Sequence, residues 1–359
     1  MAVDRISMLP DELLCHILSF LPTPMAVVTS ILSKRWKPLW LSVVSNLFFD
    51  DQSSKPFHCF TDFIYATILN RDFPITTFRL QCRAGLYLSD FDLKIWVNAA
   101  IRRGLENLYI QLSGVRLSLS SCIFCCNTLV VLNLARLLLD QFSVVDLPSL
   151  KTLHLNDVGF PQPQNLVDLL TRCPILEYMG LSDIYYWGLE DVPSNKNGGS
   201  LSKLVRADIH DVSFDIFVGS LGIDKYMNDI PIFPNLTHLE LTREWDMSWD
   251  MVLAMLKQCP MLQNFVLDMR KSFDDSDDLV WTSPCFVPEC LSSQLRKCSI
   301  INCEGTESGL YFAKYIMQNS RVLRTMTICT LCSSELKVEL LKELSSCSRS
   351  SMICQLSFK

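Results

Sequence analysis

The residues of this 359-residue sequence best suited by type to chemistry are its cysteines and histidines. Cys122, Cys125 and Cys126 lie close together, and Cys329 and Cys332 form a CxxC pair. A structural zinc needs a full set of convergent thiolates or imidazoles, and no second pair completes either set. A redox CxxC normally opens a helix after a strand. A strand-like alternation precedes Cys329, so that reading stays open for Cys329 and Cys332. His154, His210 and His238 fall far apart in sequence. They either approach one another in the fold or stand as separate polar residues. No phosphate-cradling glycine loop, nucleophile elbow or paired-carboxylate motif stands out. The expectation is a binding protein without a catalytic residue, metal or cofactor of its own.

Composition narrows what is bound. With 32 Lys+Arg against 38 Asp+Glu and a net charge of −6, the chain lacks the basic surface that phosphate backbones require, so nucleic acid is not expected as a ligand. The hydrophobic share of 49% is high. Yet no apolar run approaches the roughly 18 residues of a membrane helix. The strongest, from Leu129 to Leu139, is interrupted by Asn133 and Arg136. Asp4 and Arg5 lead straight into a capped amphipathic pattern and not into a secretory core. The apolar surplus is therefore expected in a large core or on a face that meets a protein. Most of the 16 cysteines are expected as small buried hydrophobes in the reducing cytosol or nucleus.

The first elements are short helices. Ser7 to Leu13 reads as a helix start, with Pro10 near the first helical position and acids in the first turn. Leu9, Leu13, Leu14, Ile17, Leu18, Phe20 and Leu21 recur at helical spacing until Pro22 and Pro24. A second helical stretch is expected from Ala26 to Lys37, before Pro38. Leu9-Pro10, Glu12-Leu13, Ile17-Leu18, Leu21-Pro22, Ser33-Lys34-Arg35-Trp36 and Leu39-Trp40 together resemble an F-box. The resemblance implies helices that dock on a Skp-type adaptor and, through it, on a cullin scaffold with a RING partner. It would place Leu9, Pro10, Glu12, Leu13, Ile17 and Leu18 at or near that interface, and Trp36 in the packing that holds the helices together.

Beyond these helices one pattern returns, with apolar residues at i, i+3 and i+5. It starts at Ile75, Leu105, Leu129, Leu150, Leu176, Leu204, Leu236, Leu262, Leu295 and Leu323, at intervals of 21 to 33 residues. These spacings lie at or above the roughly 20–29 residues of leucine-rich repeats. Pro148, Pro174, Pro234 and Pro260 each stand two residues before a start, where chance would put only about half a proline across the series. Leu170-Thr-Arg-Cys-Pro-Ile-Leu176 and Leu256-Lys-Gln-Cys-Pro-Met-Leu262 are the same phrase. Each closes a helix-like stretch, Leu166 to Arg172 and Met251 to Gln258, and enters a strand.

The unit is therefore helix, turn, strand. The expected fold class is α/β: an N-terminal helical F-box, then an irregular leucine-rich repeat solenoid with parallel strands on its concave face and helices on its convex face. Alternation turns i+3 and i+5 inward and i+2, i+4 and i+6 outward. The outward positions include Arg79, Tyr109, Gln111 and Asn133. Among them, Tyr109, His154, Asn156, Tyr178, Arg206, Asp208, His210, His238, Glu240 and Asp268 are the candidate target-binding face. Residues 194–200 and 274–278 read as loops.

Val287-Pro288-Glu289-Cys290-Leu291, Ala313-Lys314-Tyr315-Ile316, Arg321 to Ile328, Lys342-Glu343-Leu344 and Cys354 to Lys359 resemble an FBD domain. The sequence departs from that pattern at Ser308-Gly309-Leu310 and Ile300. This segment supplies further strands, with helices at Leu310 to Gln318 and Leu336 to Leu344, and caps the repeat. The expected organisation is 1–50 F-box, 51–286 repeat and 287–359 FBD. These resemblances imply the substrate-recognition subunit of an SCF-type ubiquitin ligase, non-catalytic, cytoplasmic or nuclear, and free of membrane. A small-molecule-gated receptor of the same architecture and a repeat scaffold with an unused F-box are the alternatives.

Overall fold

A computed structural model describes residues 6, 8–53, 57–69, 71–83, 88–114, 116–142, 144–187, 201–212, 232–242, 248–269, 281, 284, 286–303, 307–330 and 334–359. They form two compact units, Met1–Leu150 and Lys151–Lys359. The loops expected at 194–200 and 274–278 lie outside the described residues, as do Ser7 and Cys332.

The first unit opens with α1 (Asp11–Ser19), α2 (Thr23–Val28), a 3-10 turn Thr29–Ile31 and α3 (Trp36–Val43). Then come β1 (Asn46–Asp50), α4 (Phe57–Leu69), β2 (Thr77–Cys82), α5 (Asp90–Ile101), β3 (Asn107–Leu112), β4 (Leu117–Leu119) and β5 (Val131–Leu139). Strands β1, β2, β3 and β5 pair in that order, all parallel, and β4 pairs with the far end of β5. The second unit holds β6 (Thr152–Phe160), α6 (Pro163–Thr171), β7 (Tyr178–Tyr186), β8 (Arg206–Val212), β9 (His238–Thr242) and α7 (Trp249–Lys257). It continues with β10 (Asn264–Asp268), α8 (Glu289–Ser293), β11 (Lys297–Ile301), α9 (Glu307–Asn319), β12 (Thr325–Ile328), α10 (Ser334–Ser346) and β13 (Gln355–Phe358). Each strand from β6 to β13 pairs in parallel with the next in sequence. Parallel neighbours need a crossover, and α4, α5, α6, α7, α8, α9 and α10 each stand in such a connection.

Every triplet read from the sequence is a strand entry. All ten are buried at each of their positions, and each strand begins two residues after the first of them. The inward residues meet helices: Phe49 of β1 packs on Phe63 of α4 at 5.7 Å between ring centres, and Phe265 of β10 on Phe312 of α9 at 6.4 Å. The phased prolines now have a cause. The amides of Leu150, Leu176, Leu236 and Leu262 donate to the carbonyls of Leu147, Cys173, Phe233 and Cys259. Each closes a tight turn whose second residue is the proline, where its fixed φ is pre-set. The strand series also extends past the expected triplets, to β1 before them and β13 after.

One regularity was not legible beforehand. Arg136, Asp157, Asp183 and Asn302 adopt positive φ of 62°, 52°, 53° and 55°. Each stands seven residues after its triplet start at Leu129, Leu150, Leu176 or Leu295. Asp and Asn tolerate this region better than most residues. The left-handed residue resets the alternation, so that Leu137 and Leu139, and Val158 and Phe160, are buried after it.

The helix expected from Ala26 to Lys37 is not continuous. It is α2 and a 3-10 turn, and a new helix starts at Trp36. Pro38 does not stop that helix but sits in its first turn, where an N–H would have no intrahelical partner anyway. The helices expected near 166–172, 251–258, 310–318 and 336–344 are α6, α7, α9 and α10. The departures from the FBD pattern are inside: Ser308 and Gly309 are buried in α9, and Ile300 fills an inward strand position.

Candidate functional site

Helix α1 carries two apolar stripes. Leu14 and Leu18 turn inward and, with Ala26, Trp36 and Trp40, form the core of the helical module. Leu13, Ile17 and Phe20 line the other side and remain 49%, 40% and 72% exposed. Pro10 and Glu12 are exposed beside them and Leu9 is half-buried. Leu18 is the correction to the expected interface: at 0% exposure it is part of the module's core and presents nothing to a partner. Sequence reasoning also missed part of the surface. Met8, Met25, Val28, Ile31 and Leu32 are exposed too, Ile31 at 82%. The sequence expectation ran one helix through Ile31 and gave that residue no surface role. The 3-10 turn changes the period there and leaves it outside. So many exposed apolar residues on one small module point to a protein-binding surface.

Arginines hold this module in place. Helix α1 has no side-chain cap; its N-cap is Pro10. Arg35 supplies the order instead, donating from Nε to Asp11 Oδ1 at 2.7 Å and from Nη2 to the Leu9 carbonyl at 2.8 Å. Arg71, fully buried after α4, donates to the carbonyls of Leu41 and Val44 at the end of α3. Its guanidinium lies 5.7 Å from the Trp40 ring centre. Burial and the neighbouring Arg103 push its pKa down to about 10. The Phe48 amide of β1 donates to Thr23 Oγ1 of α2 at 2.9 Å. The helices are thereby tied to the first strands of their own unit.

In the second unit, the outward residues of β6 to β10 stand in three rows. One row runs Thr152, Tyr178, Arg206, His238, Asn264; the next runs His154, Gly180, Asp208, Glu240, Val266. The third includes Asn156, Ser182, His210, Thr242 and Asp268. His238, His154 and His210 thus occupy different rows and do not converge. His154 stacks on Tyr178 at 4.5 Å between ring centres. The Tyr178 hydroxyl donates to Asp208 Oδ2 at 2.6 Å, and Arg206 Nε donates to both Asp208 oxygens at 3.1 Å. His210 Nδ1 meets Thr242 Oγ1 at 2.7 Å, and its Nε2 lies 3.8 Å from Glu240. His238 Nε2 meets Asn264 Nδ2 at 2.7 Å.

Asp268 is a second correction. It is only 5% exposed and accepts a hydrogen bond from Asn302 at 2.6 Å, so it belongs to the framework and not to an open face. Asn156 is exposed, as expected. Tyr109 lies in the first unit, on β3, beneath Arg79.

Burial and the bond to Asp208 push the Tyr178 phenol well above its ordinary range, so it serves as a fixed donor. Burial holds His154 below the ordinary histidine range, against the opposing pull of Asp208. The sign follows. Above the unfolded value both states are neutral there and nothing is contributed. As pH falls through it the unfolded chain takes up the proton first, and stability drops. Between about pH 7 and about pH 5, wild type should therefore lose more melting temperature than His154→Asn; parallel curves would contradict this.

Gly180 makes the cluster possible. A Cβ there would stand 2.8 Å from His154 Nδ1 and 3.1 Å from the Tyr178 oxygen. Gly180→Ala should displace the imidazole and cost about 1–3 kcal/mol, read by denaturant unfolding. An unchanged midpoint would show that the ring swings aside freely.

Eight of the described cysteines are buried in the core. Cys173 and Cys259, of the shared phrase, and Cys290 and Cys298 are buried, and burial raises all four thiols, Cys173 to about 12. Cys126 is buried with its Sγ 3.6 Å from the Leu105 carbonyl, while Cys125 is exposed. Among the described residues no group of three or more His, Cys, Asp or Glu is placed to hold a metal, and no helix is long and apolar enough to cross a membrane.

Comparison with known proteins matches an F-box domain to residues 6–48 and an FBD to residues 283–328. The chain is 33% identical over 433 aligned residues to an F-box/FBD/LRR-repeat protein of Arabidopsis thaliana, covering 100% of this chain and 95% of the relative. It is 32% identical to an FBD-associated F-box protein of the same plant, covering 99% and 100% respectively. A second F-box/FBD/LRR-repeat protein from that plant is 32% identical, covering 100% of this chain and 94% of its own length.

Proposed function

The chain belongs to the F-box/FBD/LRR-repeat protein family, and from that premise we propose that it is the substrate-recognition subunit of a Skp–cullin–F-box ubiquitin ligase. The observation that carries the reading is the second apolar stripe of α1. Leu13, Ile17 and Phe20 lie outside a helical module whose core holds Leu14, Leu18, Ala26, Trp36 and Trp40, and Ile31 and Leu32 of the same module are exposed as well. Apolar side chains left exposed in this way lower their free energy by meeting a partner, and in an F-box that partner is a Skp-type adaptor. The adaptor joins the chain to a cullin and its RING partner.

On this reading the chain is not an enzyme. It accelerates ubiquitin transfer by holding a target near the ligase. Arg71 and the Thr23–Phe48 bond support the role, because a receptor must transmit a fixed position from its ligase end into its repeats. The outward polar network around Asp208 and Glu240 is the proposed target face of the second unit, read by charge and hydrogen-bond complementarity. Segment 1–50 carries the adaptor end, 51–286 the repeats and 287–359 their continuation; β1 already pairs with β2 from inside the first segment. The cytosol or nucleus is the proposed compartment.

Co-expression with a Skp-type adaptor tests the reading. A stoichiometric complex that survives size exclusion is expected, with the chain poorly soluble alone. A soluble monomer that ignores the adaptor would sink it.

A further inference from the structure

On the outward face of the first unit, Phe48, Arg79, Tyr109 and Asn133 stand side by side in one row across β1, β2, β3 and β5. Arg79 is exposed, and its guanidinium carbon lies 4.4 Å from the Tyr109 ring centre and 5.9 Å from that of Phe48. Both distances are within the range in which a ring attracts a cation. The side chain is thus flanked on both sides without any of its N–H donors being used. Phe48 and Tyr109 are its partners, and neither offers an acceptor carboxylate. Asp50, in the neighbouring row, accepts from the Gln52 amide at 3.0 Å. In the row on the other side, Asn107 donates from its amide to Thr77 Oγ1 at 3.3 Å.

An outward arginine of the second unit, one row away in the strand phase, shows what is unusual. Arg206 is also on the outward face and also near a tyrosine ring, at 5.9 Å, but Asp208 neutralises it at 3.1 Å. Arg79 has the aromatic support without the acid. A planar guanidinium fixed between rings and left with a free fork of donors fits a carboxylate or phosphate group, which it can bind through two parallel hydrogen bonds. Its ordering cost is already met by the rings, so less is lost on binding.

We propose that Arg79, held between Phe48 and Tyr109, is an anion-reading contact for an acidic peptide segment of the target protein. The inference deepens the receptor reading, on which it rests, by naming the chemistry of what the first repeats hold. It also divides the labour between the units. The first offers a cation, and the second offers Glu240 beside a neutralised Arg206–Asp208 pair.

The experiment uses the full chain purified with its Skp-type adaptor and titrated against a fluorescein-labelled oligoglutamate peptide. A phosphoserine-containing peptide separates phosphate from carboxylate, and an oligolysine of equal length is the charge control. Saturable, salt-sensitive binding of an acidic probe is expected, weakened about tenfold by Arg79→Ala. Arg79→Lys should recover only part of this, because it restores charge without the fork. Equal affinity of wild type and R79A overturns the proposal, and so does failure of wild type to bind either acidic probe. Arg79 lies outside α1 to α3, so R79A retains the adaptor in both cases. Loss of the adaptor from wild type would count against the receptor reading alone, and the same titration then proceeds on the chain by itself.

Discussion

Replacing Leu13 and Ile17 together by aspartate is expected to abolish capture of a Skp-type adaptor while leaving the melting temperature of the chain unchanged. Both side chains are about half exposed and lie on the stripe of α1 opposite Leu14 and Leu18. A charge placed there in the free chain stays in water, where surface substitutions typically change stability by no more than about 0.5 kcal/mol. In a complex the same carboxylates would be buried without partners. Central apolar contacts are each worth about 2 kcal/mol or more, so losing both weakens binding by at least about a hundredfold. A pull-down from co-expressing cells, with thermal unfolding of the purified variant, reads the two effects separately. The variant should also be more soluble alone than wild type, since an apolar patch has been removed. Retained adaptor with an unchanged melting curve would place the interface elsewhere.

Trp36→Ala is expected to do the reverse, losing the fold first and the adaptor as a consequence. Trp36 is only 3% exposed at the start of α3 and shares the module's core with Leu14, Leu18, Ala26 and Trp40. Truncating a buried tryptophan typically costs about 3–5 kcal/mol. That is a large part of the roughly 5–15 kcal/mol that holds a domain together. Hydrogen exchange over α1 to α3 should rise sharply, and adaptor co-expression should restore only part of the protection. Trp36→Phe, which keeps most of the volume, should fall between wild type and alanine. A cost below about 1 kcal/mol would mean that the pocket collapses around the gap and that Trp36 is not central. The two experiments together separate a surface role from a core role within one small module.

Much of the repeat was legible because its determinants are local. The i, i+3, i+5 triplets are inward because a strand alternates its side chains and only one side can be covered by helices. The prolines were in phase because a tight turn precedes each strand and its second position favours a fixed φ. At the N-terminus the F-box motif marked the right segment, and Leu13 and Ile17 are exposed as an interface requires. The assignment of Leu18 failed for a definable reason. Helix α1 is apolar on two sides, and periodicity alone cannot say which side α3 covers. Asp268 failed in a related way. Its strand position is outward, but Asn302, left-handed just past the end of the neighbouring strand β11, donates its amide to it.

What the sequence determined by itself was the ten strand entries, the turns before four of them and four of the later helices, all set by spacing within a few residues, while the family was legible as a resemblance of motifs. Only the tertiary structure decided which apolar stripe of α1 is core and which is exposed, that Arg71 is buried beneath two carbonyls, and that Arg79 stands between two rings with no ion pair to a described acid. Those outcomes depend on what a neighbouring segment brings to within a few ångströms: the triplet phase sets Tyr109 beside Arg79, each four residues after its start, but Phe48 lies on β1, where no triplet was read, and no spacing shows that the guanidinium settles between the two rings.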